Sequence, residues 1–288
     1  FSKEVYFDTG YVIEGFTTYY GDLILARSNY FTTERYLKEW NSVIKKHFHN
    51  YGNANLSLAN SSLDLWVDGF IGGIPNRKVS IYGKGAVVAW LIDLKIRKLT
   101  SSEKSLDDVI KFLWKNYGKK DIGYTSPDIY QIINTLIGEN IEHFLNECIY
   151  EKTDLKDLIE NIISNFGLVL SKKIPKETSQ RKYGMRLSAH PNGFLIDQVE
   201  PDSPADKLLC RGDVIINVRN ISLLDFEMEL DQTSFINLVI WRDYKQHSII
   251  LEPTASDYFL WWELEVDHQA GFEQNIARNK WLWNKNIH

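Results

Sequence analysis

TGYVIEGFTTYYGDLIL, residues 9–25, decides how the rest of the chain is read. Val12, Phe16, Tyr19, Tyr20, Leu23 and Ile24 recur at the three-and-four spacing of one helical face. The stretch is therefore expected as a single helix, capped by Asp8 or Thr9. Glu14 lies beside that face, and its helical neighbours are Gly10, Thr17, Thr18 and Gly21. They form a strip of small side chains around one carboxylate, which lets another element or an ion approach the backbone. A carboxylate buried there needs a partner, hydrogen bonds or a metal. One left at the helix edge reaches water or a nearby lysine.

Further along, the same periodicity recurs. Thr32 or Thr33 caps a helix running to about His49, with Leu37, Trp40, Ile44 and Phe48 as its apolar stripe. His47 and His49 fall in its last turn, where the helix dipole favours a protonated imidazole. A two-residue spacing on a helix points the rings apart, against a metal pair. Residues 53–82 read as irregular, with turns at Gly72-Gly73 and Pro75 and with Trp66 as a packing residue. Val79-Ser80-Ile81 is a short extended piece leading to Tyr82. From Gly85 to about Leu99 the chain is apolar nearly all round, so that helix belongs at the centre. Ser105 with Asp108, then Ser126 with Pro127, open two more helices, the second ending at Gly138. Two shorter helices follow, at about 139–150 and 154–165.

After the polar run 171–182 the period changes to two. Strands are expected over Gly184–Leu187, Phe194–Val199, Arg211–Val218, 235–241 and 247–252. Pro191-Asn192-Gly193 and Asp243-Tyr244-Lys245 are turns, and Asp202-Ser203-Pro204-Ala205 opens a short helix. The end of the chain is rich in aromatics, among them Phe259, Trp261, Trp262, Phe272, Trp281 and Trp283. Such a segment packs on a core rather than standing in water.

The 288 residues, 44% hydrophobic and with net charge −5, allow one to three domains around a sizeable core. Acids and bases are interspersed, so nothing resembles a basic stripe for nucleic acid. No apolar run reaches the length of a membrane-spanning helix. Cys148 and Cys210 match no metal spacing and are expected as two buried thiols.

Four motifs carry a resemblance that covers nearly the whole chain. They are E-G-F-T-T-Y-Y-G-D-L from Glu14, L-D-L-W from Leu63, S-I-Y-G-K-G-A from Ser80 and S-L-D-D-V from Ser105. Together they resemble the glycyl aminopeptidase family, zinc metallopeptidases of the gluzincin group. The resemblance implies that Glu14 is the third protein ligand of a zinc ion. It also implies that the Tyr82 hydroxyl donates a hydrogen bond to the oxyanion of the tetrahedral intermediate, a role in which a positioned phenol favours the transition state. The family's H-E-x-x-H, which supplies two histidine ligands and the general base, does not occur here. Glu139-Asn140-Ile141-Glu142-His143 comes near the inverted motif but begins with Glu.

The expectation is thus the C-terminal part of a zinc-dependent aminopeptidase acting on peptides with small N-terminal residues. The chain by itself would be inactive, bind no zinc and self-associate through an uncovered surface. The expected architecture is α+β and multidomain. An all-helical lobe over 1–170 corresponds to the C-terminal half of a thermolysin-like catalytic domain. A linker over 171–182 leads to a small β-rich PDZ-like domain over 183–254. An aromatic segment over 255–288 packs back on the helical lobe. The PDZ resemblance rests on S-P-A before a helix and then G-D-x-I, and it implies that Tyr183, Gly184, Met185 and Arg186 form a loop for a peptide carboxylate. Against tail binding, Ile221 follows Asn220 where PDZ domains carry Gly, and 222–231 leaves little room for the helix that walls the groove. The alternative is a non-enzymatic helical scaffold with a PDZ module and a lost zinc site.

Overall fold

The computed structural model describes residues 5–68, 74–218 and 221–282; Gly72, Gly73, Asn220 and Trp283, named above, lie outside them. A π-helical turn, Tyr11–Gly15, leads without a break into α1, Phe16–Arg27. Then come α2 (Thr33–Phe48), α3 (Leu58–Leu63), α4 (Leu65–Asp68), α5 (Gly83–Leu99), α6 (Leu106–Asn116), α7 (Ser126–Ile137), α8 (Glu142–Tyr150) and α9 (Lys156–Ile163). Strand β1 spans Leu168–Lys173. Strands β2 (Met185–His190), β3 (Gly193–Val199) and β4 (Val214–Ile215) follow, then α10 (Leu223–Gln232), β5 (Ile236–Arg242) and β6 (Lys245–Leu251). The chain closes with β7 (Trp261–Val266) and α11 (Phe272–Leu282). The fold is α+β, and it divides into one compact unit of residues 1–171 with 262–288 and a second of residues 172–261.

In the first unit the caps follow elementary hydrogen-bond chemistry. Thr32 accepts from the Arg35 N–H, and Asp108 accepts from the Ser105 N–H at 2.9 Å. The cap of α7 is Thr125, whose N–H and hydroxyl both reach Asp128. That frees Ser126, whose hydroxyl donates to Asp8 at 2.9 Å. Asp8 therefore does not cap the first helix; it takes hydrogen bonds from Ser126 and Tyr150 instead. Within the stretch expected as irregular, 58–63 and 65–68 are short helices, the first capped by Ser57 accepting from the Asn60 N–H, while 74–82 consist of turns and bends. Trp66 is 49% exposed, not packed, and its indole N–H reaches the Val5 carbonyl.

Helix α5 is buried almost along its whole length, including Lys84, Asp93 and Arg97. Asp93 is the polar centre of the unit. It accepts from the Tyr19 hydroxyl at 2.7 Å, the Arg97 Nε–H at 3.0 Å and the Leu106 N–H at 2.9 Å. The Trp281 indole N–H in turn donates to the Tyr19 oxygen at 2.8 Å. One carboxylate thus ties together α1, α5, the start of α6 and α11. Trp281 is fully buried, with Tyr36 and Phe166 edge-on to it.

His47 is also buried in this unit, its Nε2 donating to the Asp154 carbonyl at 2.6 Å. Burial pushes the imidazole down to about 4, so it is not the protonated helix cap that its position suggested. Cys148 is a buried thiol, whereas Cys210 is exposed, contrary to expectation.

The second unit is an antiparallel five-stranded sheet in the order β2-β3-β4-β5-β6. Asp243 and Tyr244 both take positive φ, the conformation that closes a two-residue hairpin between β5 and β6. Residues 201–208 form successive turns rather than a helix, and β4 is only two residues long. Helix α10 forms where little room was expected, because Ser222 caps it and Phe226 and Leu230 bury one face. The run 171–182 is no exposed linker. Leu168–Lys173 is strand β1, and Ser179–Tyr183 is a π-helical turn with Ser179 and Tyr183 buried. Of the aromatic C-terminal segment, 255–261 belongs to the second unit and 262–288 to the first.

Two predictions test this core. Asp93→Ala leaves Arg97 buried without its carboxylate and is expected to cost about 3–5 kcal/mol in urea unfolding. His47 gives a pH dependence of known sign. Between about 6.5 and about 4 the unfolded imidazole holds a proton that the folded one lacks, so stability falls as pH falls, by up to about 1.4 kcal/mol per unit. In His47→Gln that part of the slope should vanish; an identical slope in both proteins removes His47 as its source.

Candidate functional site

Glu14 sits in the π-helical turn that begins the first helix. Such turns widen the backbone locally and recur at functional positions. The Thr18 hydroxyl donates to the Glu14 carbonyl at 2.7 Å and the Thr17 hydroxyl to the Ile13 carbonyl at 2.8 Å. These hydroxyls satisfy carbonyls at the junction with α1, as Ser and Thr do one turn along a helix.

The next residue, Gly15, brings this turn onto α5. A Cβ on Gly15 would lie 2.4 Å from the Gly85 carbonyl carbon, and one on Gly85 would lie 2.9 Å from the Gly15 Cα. The two backbones touch where neither residue has a side chain. The tightest approach is therefore made by Gly15; of the strip expected to admit a neighbour, Gly10 does so, a Cβ there lying 3.1 Å from the Ser62 side chain, and Gly21 does not. Gly10 faces Ser62 of α3, and Gly21 has open space around its Cα.

Tyr82 is the residue before α5, three positions ahead of Gly85. Ser80 fixes this start, its hydroxyl accepting from the Gly83 N–H at 3.1 Å and its carbonyl from the Lys84 N–H at 2.9 Å. Tyr82 precedes the helix whose Gly85 meets Gly15, so this crossing brings Glu14 and Tyr82 to neighbouring positions, and the Glu14 carboxylate acts electrostatically on the Tyr82 phenol. Desolvation and that neighbouring carboxylate together push the phenol above its ordinary range. Tyr82 is 45% exposed and Glu14 half-buried, so the pair opens to solvent.

The signal that sequence reading missed is Lys84. It is buried, donates to the Thr153 carbonyl at 2.7 Å, and is pushed by desolvation down to about 8. It pins the first turn of α5, and with it Tyr82, to the loop before α9. A lysine just ahead of the apolar run of this central helix was the available clue.

Zinc requires a set of imidazole, thiolate or carboxylate donors. Among the described residues no three of His, Cys, Asp and Glu come together as such a set. Glu14 offers one carboxylate, and His47 points into the core. The described residues do not by themselves fit a zinc ion.

The loop Tyr183, Gly184, Met185 and Arg186 lies in the second unit. Tyr183 and Met185 are buried, Gly184 is left-handed at φ 71° with its N–H on the Gln180 carbonyl, and the Arg186 guanidinium lies over the Phe259 ring. Just before it, the Glu227 carboxylate takes the Ser179 N–H at 2.8 Å and the Ser179 hydroxyl. The chain's own acid already occupies donors that open this loop.

A helical unit with a carboxylate and a phenol on crossing backbones, followed by a small antiparallel sheet, is the class that fold and site define. Residues 1–88, which hold both Glu14 and Tyr82, match the family model of the M61 glycyl aminopeptidases. The chain also resembles the crystal structure of an aminopeptidase N family protein from Idiomarina loihiensis. The two are 25% identical with a TM-score of 0.84, over 98% of this chain and 50% of that one. The chain spans about half the length of that protein. No curated protein matches it. Both matches support a peptidase-related function.

The glycine crossing gives a paired prediction. Gly15→Ala forces the backbones apart and is expected to destabilise the protein by about 1–3 kcal/mol. Gly21→Ala meets nothing within 4 Å and is expected to stabilise it by about 0.5–1 kcal/mol. Thermal melts of the two variants should move in opposite directions.

Proposed function

We propose that this chain contributes Glu14 and Tyr82 to the active site of a zinc-dependent aminopeptidase. The observation that carries the reading is the contact of Gly15 with Gly85, which brings the turn bearing Glu14 onto the start of the helix that Tyr82 precedes, close enough for the carboxylate to act on the phenol. The match of residues 1–88 to the glycyl aminopeptidase model supports it, because that segment holds both groups. Glu14 is the carboxylate ligand, and two histidines and a general base come from residues other than those described. A zinc ion held by Glu14 together with donors outside the described residues would supply Lewis-acid activation of the attacking water and of the scissile carbonyl. Tyr82 donates its O–H to the oxygen on which negative charge develops. That donation is stronger to the oxyanion than to the ground-state carbonyl, so it lowers the barrier. Because the described residues lack a donor set for the metal, the 288-residue chain alone is proposed to be inactive.

The second unit is proposed to be a PDZ-like module. The support is its antiparallel sheet with β2 at one edge, where an added peptide strand would pair. A peptide carboxylate entering at the loop would compete with Glu227 for Ser179.

The test uses the complete natural gene product, glycyl 4-nitroanilide as substrate and zinc content by emission spectroscopy. Tyr82→Phe is expected to lower kcat by about 10²- to 10³-fold with zinc retained. Glu14→Gln is expected to lose zinc and activity together. A gene product with neither zinc nor turnover favours the non-enzymatic scaffold, and a Tyr82→Phe enzyme at the parent rate overturns the role given to the phenol.

A further inference from the structure

A single contact leaves one helix free to turn on another; a second contact, farther along, fixes the rotation. The turn that bears Glu14 has its first contact with α5 where Gly15 meets Gly85. The second lies along the same continuous helix, at Tyr19. Its hydroxyl donates to the Asp93 carboxylate of α5 at 2.7 Å, with both groups buried. The rotation of α1 about the glycine contact is therefore set by one hydrogen bond between a phenol and a carboxylate.

That bond is not made by α1 and α5 alone. The Tyr19 oxygen also accepts from the Trp281 indole N–H at 2.8 Å, in the last turn of α11. A phenolic O–H rotates to suit its partners, and an N–H on the oxygen's lone pair turns the proton toward Asp93 and strengthens its bond. The same turn of α11 gives its carbonyls to an arginine from each helix. The Trp281 carbonyl accepts from the Arg27 Nε–H of α1 at 3.2 Å, and the Lys280 carbonyl accepts from the Arg97 guanidinium of α5 at 3.3 Å. Those two side chains are only 8% and 2% exposed, so each depends on protein acceptors. Cations at the last carbonyls of a helix also suit its dipole. The Trp281 ring completes the contact, 6.3 Å from the Trp90 ring of α5.

We infer that α11 is a clasp that sets the rotation of α1 on α5, and that Trp281 is a positioning residue for Glu14 and Tyr82. It acts through Tyr19 and Asp93. Glu14 is next to the pivot, so a small turn of α1 re-aims its carboxylate relative to Tyr82 while the glycines stay in contact. The clasp closes late in the chain. β1 leads out of the first unit, and β7, which pairs with it, leads back to α11. The first unit is thus clasped only after the whole of the second has been made. That the rotation matters to catalysis rests on the aminopeptidase reading; the clasp itself does not.

The experiment compares Trp281→Phe, Tyr19→Phe, the double variant and Leu282→Ala. Trp281→Phe keeps an aromatic ring and loses the N–H. Leu282→Ala removes buried packing from the same turn and keeps the N–H. In the 288-residue chain, residual dipolar couplings of the α1 amides are expected to stop fitting the orientation of the α5 amides in both Phe variants. In Leu282→Ala they should still fit, even with a lowered melting temperature. In the complete natural gene product, each Phe variant is expected to lower kcat for glycyl 4-nitroanilide about tenfold, with KM and zinc content unchanged. The double variant should fall no further than one of them, because both act through one bond. Should Trp281→Phe fail to fold, Tyr19→Phe carries the same test. Unmoved couplings in the Phe variants, couplings moved equally by Leu282→Ala, or an active gene product whose Phe variants keep the parent kcat or lose it additively would each overturn the proposal. A gene product with no turnover removes the peptidase reading, and the couplings then decide the clasp by themselves.

Discussion

The contact of Gly15 with Gly85 is the constraint from which the candidate site follows. Two helical backbones meet there without side chains between them. That distance fixes the register of one segment against the other, because no larger residue fits at either position. Glu14 is next in sequence to one glycine and Tyr82 lies just ahead of the other. Once the glycines touch, the residues bearing the carboxylate and the phenol are held near each other, and the carboxylate acts on the phenol. The π-helical turn is part of the same device, since it is the turn that presents Glu14.

Register along α5 has a second source. An almost wholly apolar helix packed on all sides has little to stop it sliding or turning. Its three buried charged residues supply directional contacts that apolar packing lacks. Lys84 is fixed on the Thr153 carbonyl near the N-terminal end. Asp93 is fixed in the middle by groups from α1 and α6. Arg97 reaches the Lys280 carbonyl of α11 near the other end. Removing water from such groups is costly, and their geometry must be good to offset it. In this helix those contacts hold the end that carries Tyr82.

What the sequence made legible was whatever depends on period. The stripe of α2, the central place of α5 and the change to period two near Tyr183 all follow from side-chain spacing. Short elements were less legible. Six residues of α3 have no stripe long enough to recognise, and α10 was hidden behind an argument about room. Within the site, the motifs marked Glu14 and Tyr82, and the strip of small residues was right to the extent that Gly10 meets Ser62, but Gly21 meets nothing and the contact of Gly15 with Gly85 was not foreseen. A helical wheel cannot tell which glycine meets a neighbour, since that depends on a crossing with a segment some seventy residues away. His47 was misread for a related reason. Position in the last turn favours a charged ring, but burial against the Asp154 carbonyl outweighs the helix dipole.

The chemistry of the Glu14 carboxylate follows from what its surroundings leave undone. Two carboxylate oxygens offer about four acceptor sites, and the Tyr82 phenol is near enough to feel their charge. Glu14 has no ion-pair partner among the described residues. Asp93 shows the contrast within the same unit: two side-chain donors and a backbone N–H saturate it, and it is sealed from solvent. Asp93 is equipped to hold helices together. Glu14 keeps acceptor capacity on a half-open surface near the Tyr82 phenol, which is what a group that takes up a further partner requires.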